Sequence, residues 1–295
     1  MKIGLSRPFE DPGHPTPDVD MGAVCQIAEE CGFEWVSYGH HTIRPLEEPV
    51  KPPHFGVPLY QDPLIGAARA LTLTKTLEIG TGVLVMPMLH PVHVAKQAAT
   101  IDQFSDGRFF MGLGTGGASQ LEIELSGGSF SRRWGYTMES IQVMKGLWTE
   151  DEFSFKGDFF DFPPTRLGPR PVNKPHPPIW LGGYTDTVLK RIANHCNGWL
   201  PAYPDLNLFP FMDQSLSGPE HMKQGYEKIR AYAEEAGRGD VDFSVNVILG
   251  ADAGPECLGP YQEAGADRIA ISLPTVASVD DARRVIEKLA KDYLP

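Results

Sequence analysis

Short apolar runs alternate with longer stretches of helical period along most of the chain. The run 2–7 (KIGLSR) reads as a strand. Residues 18–31 carry Val24, Ile27, Ala28 and Cys31 at helical spacing and stop at Gly32. The same alternation predicts a strand at 33–39, a helix at 63–74, a strand at 77–85 and a helix at 91–105, where Pro91 suits the first turn. A fourth strand follows at 108–114, then a helix at 137–149. Residues 153–162 (FSFKGDFFDF) form a small hairpin pattern turning at Lys156-Gly157, and the proline-rich 163–178 reads as a loop. The alternation resumes with strand 179–183, helix 185–195, a short strand 197–202 and helix 218–236. It closes with strand 243–250, helix 255–265, strand 267–274 and helix 279–293.

Eight strand-then-helix units imply a parallel sheet. Units of this size in 295 residues predict an α/β fold, a single (β/α)8 TIM barrel over 1–295 with insertions after strands 2, 4 and 6. The competing architecture is an open doubly wound sheet. It puts its glycine-rich turn after the first strand, whereas the richest turn here, GLGTGG, follows the fourth.

A barrel carries its chemistry at the C-terminal ends of its strands, which narrows the candidates. Strand two ends in His40 and His41. Strand three runs through Thr81, Gly82 and Val83, strand four ends in Thr115, Gly116 and Gly117, and strand five in Gly182 and Gly183. One glycine after a strand is an ordinary turn; glycines at three successive strand ends point to a ligand laid against backbone. Imidazole titrates near neutral pH, which makes the histidine pair a candidate for proton transfer. Gly182-Gly183 opens a helix whose first N–H groups could hold a phosphate, or is a plain helix start capped by Thr185 or Asp186. Arg132, Arg133 and Trp134 are candidates to close over the pocket, while Trp148 and Trp180 read as core.

Composition adds exclusions. A net charge of −12 argues against nucleic acid as a partner. No apolar stretch is long enough to cross a membrane, and the N-terminus reads directly as a strand, so a cytoplasmic protein is expected. The four cysteines are far apart with no CxxC, which points to free thiols and no metal site.

Three stretches together resemble the luciferase-like flavin-dependent oxidoreductase superfamily, which holds bacterial luciferase-like monooxygenases and deazaflavin-dependent oxidoreductases. They are CGFEWVSYGHHTIRP, LEIGTGVLVMPMLHPVHVAKQAATIDQFSDGRFFMGLGTGG and GLWTEDEFSFKGDFFDF with PRPVNKPHPPIWLGGYTD. The resemblance implies a (β/α)8 barrel binding FMN or the deazaflavin coenzyme F-420 at its C-terminal face. It assigns His41 as the catalytic histidine. It assigns His40, Gly82, Val83, Thr115, Gly116, Gly182 and Gly183 to the coenzyme, with a bulge and a non-proline cis peptide at Gly82-Val83. GLGTG and the short run from GHH to TIRP are closer to the deazaflavin branch, so hydride transfer with F-420 is the first expectation. His40 stands where that branch commonly has an acid, and Gly117 where some of its sugar-phosphate dehydrogenases have a catalytic glutamate. The alternative is a reduced-FMN-dependent two-component monooxygenase acting on a small hydrophobic or aromatic molecule. A non-catalytic barrel is the third reading.

The resemblance further implies a homodimer, a small-molecule substrate and a separate flavin or deazaflavin reductase. Segments 44–62, 118–136 and 202–220 would line the pocket, with HFGVPLY and NLFPFM giving it apolar character. A Gly82→Val substitution is expected to remove coenzyme binding from a barrel that still folds.

Overall fold

The computed structural model describes residues 1–6, 19–43, 45, 61–117, 119–201, 218–250, 253–274 and 276–295. In chain order it contains β1 (Lys2–Ser6), α1 (Met21–Glu30), β2 (Trp35–Tyr38), α2 (Pro63–Leu73), β3 (Glu78–Val85), α3 (Pro91–Phe104), β4 (Phe109–Gly114) and α4 (Gln120–Leu125). These are followed by α5 (Arg133–Thr149), a hairpin of β5 (Phe153–Lys156) and β6 (Asp161–Thr165), β7 (Ile179–Gly182), α6 (Asp186–His195) and β8 (Gly198–Leu200). The chain ends with α7 (Gly218–Glu235), β9 (Ser244–Leu249), α8 (Leu258–Glu263), β10 (Arg268–Ser272) and α9 (Val279–Tyr293). Eight strands close into one parallel barrel in the order β1-β10-β9-β8-β7-β4-β3-β2, and β5-β6 stands apart as an antiparallel pair. The predicted (β/α)8 architecture is therefore the observed one. Among the described residues no helix is long and apolar enough to cross a membrane.

Local chemistry explains where the helices begin. Asp62 accepts from the N–H groups of Leu64 and Ile65, both at 3.0 Å, ahead of Pro63 in the first turn of α2. Ser278 caps α9 by accepting from Asp281 N at 3.1 Å, and Ala282, Ile286, Leu289 and Tyr293 then supply the buried stripe. Several boundaries differ from expectation, among them the start of α5 and the end of β6. The helix expected at 137–149 begins a turn earlier, at Arg133. The second hairpin strand runs on into Pro163 and Pro164, which were expected in a loop. Pairing of Phe153 with Thr165 and of Phe155 with Phe162 leaves these two prolines opposite Ser154 alone. That bulge on a two-stranded edge takes residues unable to donate to a ladder. The long excursion between β4 and β7 is pinned to α3 by buried Asp102, which accepts from Asn173 N at 2.9 Å and Asn173 Nδ2 at 2.7 Å, and by Trp148 Nε1 donating to Ala95 O at 2.9 Å.

The barrel interior is built in layers, since alternate side chains of each strand point inward. At the N-terminal end the Glu78 carboxylate receives both Lys2 and Arg268. Above it sit Trp35, Phe110 and Trp180. Phe110 stacks on Trp180 with centroids 4.2 Å apart, and Trp35 meets both edge-on at 5.8 and 6.1 Å. Their neighbours in this layer are glycines, because nothing larger fits. A Cβ on Gly4 would lie 2.4 Å from Trp35, one on Gly80 2.4 Å from the Phe110 ring, and one on Gly198 2.6 Å from Trp180. The next layer toward the C-terminal mouth is mostly small: Ser6, Ser37, Gly82, Gly112 and Gly182, with Ser37 Oγ donating to Ser6 Oγ at 2.8 Å.

The strand ends are joined at this rim by His40. Its Nδ1 accepts from Val85 N at 3.1 Å, which leaves the proton of the neutral ring on Nε2, 3.3 Å from Thr42 Oγ1. Burial disfavours the charged ring and lowers its pKa to about 4. Between an unfolded value of 6.5 and about 4, the unfolded chain takes up a proton that the folded one refuses, so this stability is lost as pH falls through the window. We expect wild-type stability to fall relative to His40→Gln by roughly 2–4 kcal/mol between pH 6.5 and 4. Urea unfolding at several pH values measures it; a pH-independent difference would rule out a buried neutral His40.

Candidate active site

The mouth of the barrel is shaped by an irregularity in β3. The Gly82–Val83 peptide bond is cis, and pairing with β4 slips between Gly82 and Leu84. This is the distortion expected at that position. Val83 is thereby turned over the glycines of the neighbouring strands: a Cβ on Gly114 would lie 2.5 Å from Val83 Cγ2, and one on Gly182 3.7 Å from Val83 Cγ1. Val83 packs on the inner aromatic cluster and is partly exposed above it. The result is a shallow apolar floor with backbone on both sides and an aromatic layer beneath.

Not every glycine in that floor is alike. A Cβ at Gly82 would lie 2.8 Å from Ser37 Oγ and 2.9 Å from Ser37 Cβ. Those atoms belong to the barrel wall, so Gly82→Val would strain the barrel itself, which corrects the expectation of an undisturbed fold. Gly182 is different. A Cβ there would meet Leu113 O, Leu200 O and Val83 Cγ1 at 3.7 Å, ordinary contact, so it would be accommodated without a clash. Beyond the strand ends, Gly116 at φ +68° and Gly183 at φ +118° hold backbone conformations that side chains disfavour. Thr115 is buried beside Gly116. Helix α6 then starts at Thr185 without a side-chain cap, and Asp186 is paired instead with Lys228 at 2.8 Å. Of the two readings of the double glycine, the capped helix start loses its cap.

The two histidines after β2 face different surroundings. His40 is the buried tie to β3. His41 is partly exposed, and its Nδ1 lies 2.8 Å from Glu122 Oε2. The other oxygen of Glu122 accepts from Thr42 N at 2.6 Å and Ile43 N at 3.4 Å. Burial raises the cost of ionising Glu122, but these donors outweigh it and hold the carboxyl below the usual range. Glu122 sits on α4, a helix within the segment 118–136 that is expected to line the pocket. Ser119 caps α4 by accepting from Glu122 N at 3.0 Å. The signal was present as Ser119-Gln120-Leu121-Glu122, the spacing of a capping box. In the structure, however, the glutamate reaches toward the β2 loop.

Among the other rim candidates, Arg133 lies over the Phe130 ring at 3.9 Å and donates to Phe130 O at 2.7 Å, beside the small cluster of Val85, Met88 and Ile123. Arg132 covers Phe159, and Arg191 covers Trp134. HFGVPLY and NLFPFM lie outside the described residues, as do most of 44–62 and 202–220. The four cysteines are free, and among the described residues no group of His, Cys, Asp and Glu could hold a metal ion.

A planar heterocycle suits this donor set. The glycines bring bare backbone to the floor, Val83 offers an apolar contact, and the open end of α6 suits an anionic tail. A histidine backed by a carboxylate stands at the edge.

The profile of the luciferase-like monooxygenase family matches residues 1–258. An uncharacterized protein of Mycobacterium tuberculosis is 28% identical, with 92% of this chain and 93% of that protein aligned. An FMNH2-dependent dimethylsulfone monooxygenase of Pseudomonas putida is 32% identical over 62% of this chain, which spans 48% of that enzyme. An F420-dependent secondary alcohol dehydrogenase, solved with an F420-acetone adduct, shares the fold with a TM-score of 0.71 at 18% identity, covering 97% of both chains. With its closed barrel and a family match over most of its length, the chain belongs to the luciferase-like monooxygenase family.

Proposed function

We propose that this protein is an oxidoreductase that moves a hydride between the deazaflavin coenzyme F-420 and a small organic substrate at the barrel mouth. The observation that carries the reading is the carboxylate-backed histidine that follows β2, next to the strand β3 whose end forms the glycine floor. The full-length match in size and fold to an F420-dependent alcohol dehydrogenase supports it.

When bound, the coenzyme supplies the carbon that carries or accepts the hydride; the chain supplies placement and proton handling. Gly82, Val83 and Gly114 would hold the ring, and the backbone of Thr115, Gly116, Gly182 and Gly183 would hold its side chain, with the start of α6 available to its phosphate. His40 keeps the ends of β2 and β3 together. Reduction of a carbonyl needs a proton on oxygen as the hydride reaches carbon, and oxidation of an alcohol needs that proton removed. His41 gives or takes it, and the Glu122 carboxylate stabilises the charged ring. Partly exposed Ile43 and Val83 make the adjoining wall apolar, which favours a substrate with little charge.

A second reading is favoured by one observation, the sequence match to an FMNH2-dependent monooxygenase. In that case a separate reductase delivers reduced FMN, and the same floor and histidine serve oxygen insertion.

Titration with each coenzyme separates the readings. We expect F-420 fluorescence to be quenched on binding, with FMN binding much more weakly. Binding of FMN alone, with oxygen consumed when a flavin reductase is added, would establish the second reading; binding of neither would remove both. His41→Gln is expected to lower kcat by about 10²–10⁴ while changing coenzyme affinity less than about threefold, measured by steady-state kinetics and fluorescence titration. Gly182→Leu should unfold at the wild-type temperature yet weaken coenzyme binding about tenfold or more, because its Cβ meets no clash and its longer side chain would cover the proposed backbone floor. Retention of wild-type affinity would move the ring away from β7.

A further inference from the structure

We propose that Glu122 is a positioning residue that fixes His41 with its proton on Nδ1, making Nε2 the nitrogen that exchanges protons with the reacting group. The proposal rests on His41 being the proton donor or acceptor argued above.

Three observations carry it. First, the side chain of Glu122 is 4% exposed and its Oε2 lies 2.8 Å from His41 Nδ1. An ionised carboxylate only accepts hydrogen bonds, so Nδ1 must hold a hydrogen in both charge states of the ring. Second, the carboxylate cannot turn away. Its Oε1 is held by Thr42 N at 2.6 Å and Ile43 N at 3.4 Å, and both donors are backbone. Third, its base is fixed. Glu122 N is bound by the Ser119 side chain at 3.0 Å, and Glu122 O accepts from Ser126 Oγ at 2.8 Å. The next residue, Ile123, packs beside Val85 over Gly116, where a Cβ would lie 2.9 Å from both side chains. The turn after β4 that approaches the coenzyme and the carboxylate that aims His41 therefore belong to one packed unit.

Charge and orientation act together here. When Nε2 takes a proton, the imidazolium faces a buried carboxylate, which stabilises it. When Nε2 gives the proton up, the neutral ring is left in one tautomer, ready to accept again. Removing the carboxylate takes away both of these contributions.

Glu122→Gln is the informative change, because it keeps the shape. The backbone donors of Thr42 and Ile43 require an oxygen on their side. The amide nitrogen then faces His41 Nδ1 as a donor, which forces the neutral ring's hydrogen onto Nε2. Nitrogen-15 NMR on histidine-labelled, coenzyme-free protein at alkaline pH reads the tautomer directly, with His41→Gln assigning the signal. We expect Nδ1–H in the wild type, Nε2–H in Glu122→Gln, and Nδ1–H kept in Glu122→Asp. In turnover, Glu122→Gln should lose about 100-fold or more in kcat with KM and coenzyme affinity within about threefold, and Glu122→Asp should recover part of it.

An Nε2–H tautomer in the wild type would overturn the proposal without recourse to any variant. So would an unchanged tautomer or a wild-type kcat in Glu122→Gln. The tautomer is measured without coenzyme or substrate. Inversion in Glu122→Gln, combined with a wild-type protein inactive toward every flavin and deazaflavin substrate, would therefore uphold the placement of His41 by Glu122 and sink the proposed function.

Discussion

The packing of three large aromatic rings against glycine backbone inside the barrel is the constraint from which the site follows. An eight-stranded barrel of this type has an interior filled by side chains, without a pore. Trp35, Phe110 and Trp180 fill most of one layer from three strands, so the facing positions on β1, β3 and β8 have no room even for a Cβ. With that volume taken below, the layer above can be small. Ser6, Ser37, Gly82, Gly112 and Gly182 bring backbone and small side chains toward the C-terminal mouth, beside Leu200 and Ile248. The Lys2–Glu78–Arg268 cluster closes the opposite end with charge.

Around this floor, polar contacts tie the strand ends to one another rather than to solvent. His40 joins the end of β2 to Val85 after the β3 distortion, and it is kept neutral by burial. Glu122 joins the residues after β2 to the helix after β4. The two adjacent histidines thus divide the work: one is structural and uncharged, the other stands at the edge and is backed by a carboxylate. Position along the chain does not separate them; burial does.

The proposed coenzyme site would draw on the same arrangement. A floor of backbone and a valine would recognise a planar ring by shape, and the reaction would be set by the coenzyme and by the groups around it. Glu122 binds His41, Thr42 and Ile43 after β2.

Much of this could be read from the chain itself. The alternation of strands and helices, the glycine clusters at three strand ends, the histidine pair after β2 and the irregularity at Gly82-Val83 are local patterns, and each records a local backbone requirement. What the sequence could not carry were relations between distant residues. Glu122 and His41 are 81 positions apart and meet because β2 and β4 flank β3 in the closed sheet. Asp102 and Asn173, 71 apart, meet because the excursion after β4 folds back on α3. Trp148 and Trp180 look alike in sequence, yet Trp180 fills the barrel and Trp148 lies against α3 outside it. Likewise, Gly82 and Gly182 are both glycines at strand ends, but a Cβ on one would press on Ser37 and a Cβ on the other would meet only ordinary contacts at 3.7 Å. Local propensity and periodicity act over a few residues and so determined the elements and the residues at their strand ends. Closure of the sheet brings far segments into contact, and only that decided which carboxylate meets which histidine and which glycine would admit a Cβ.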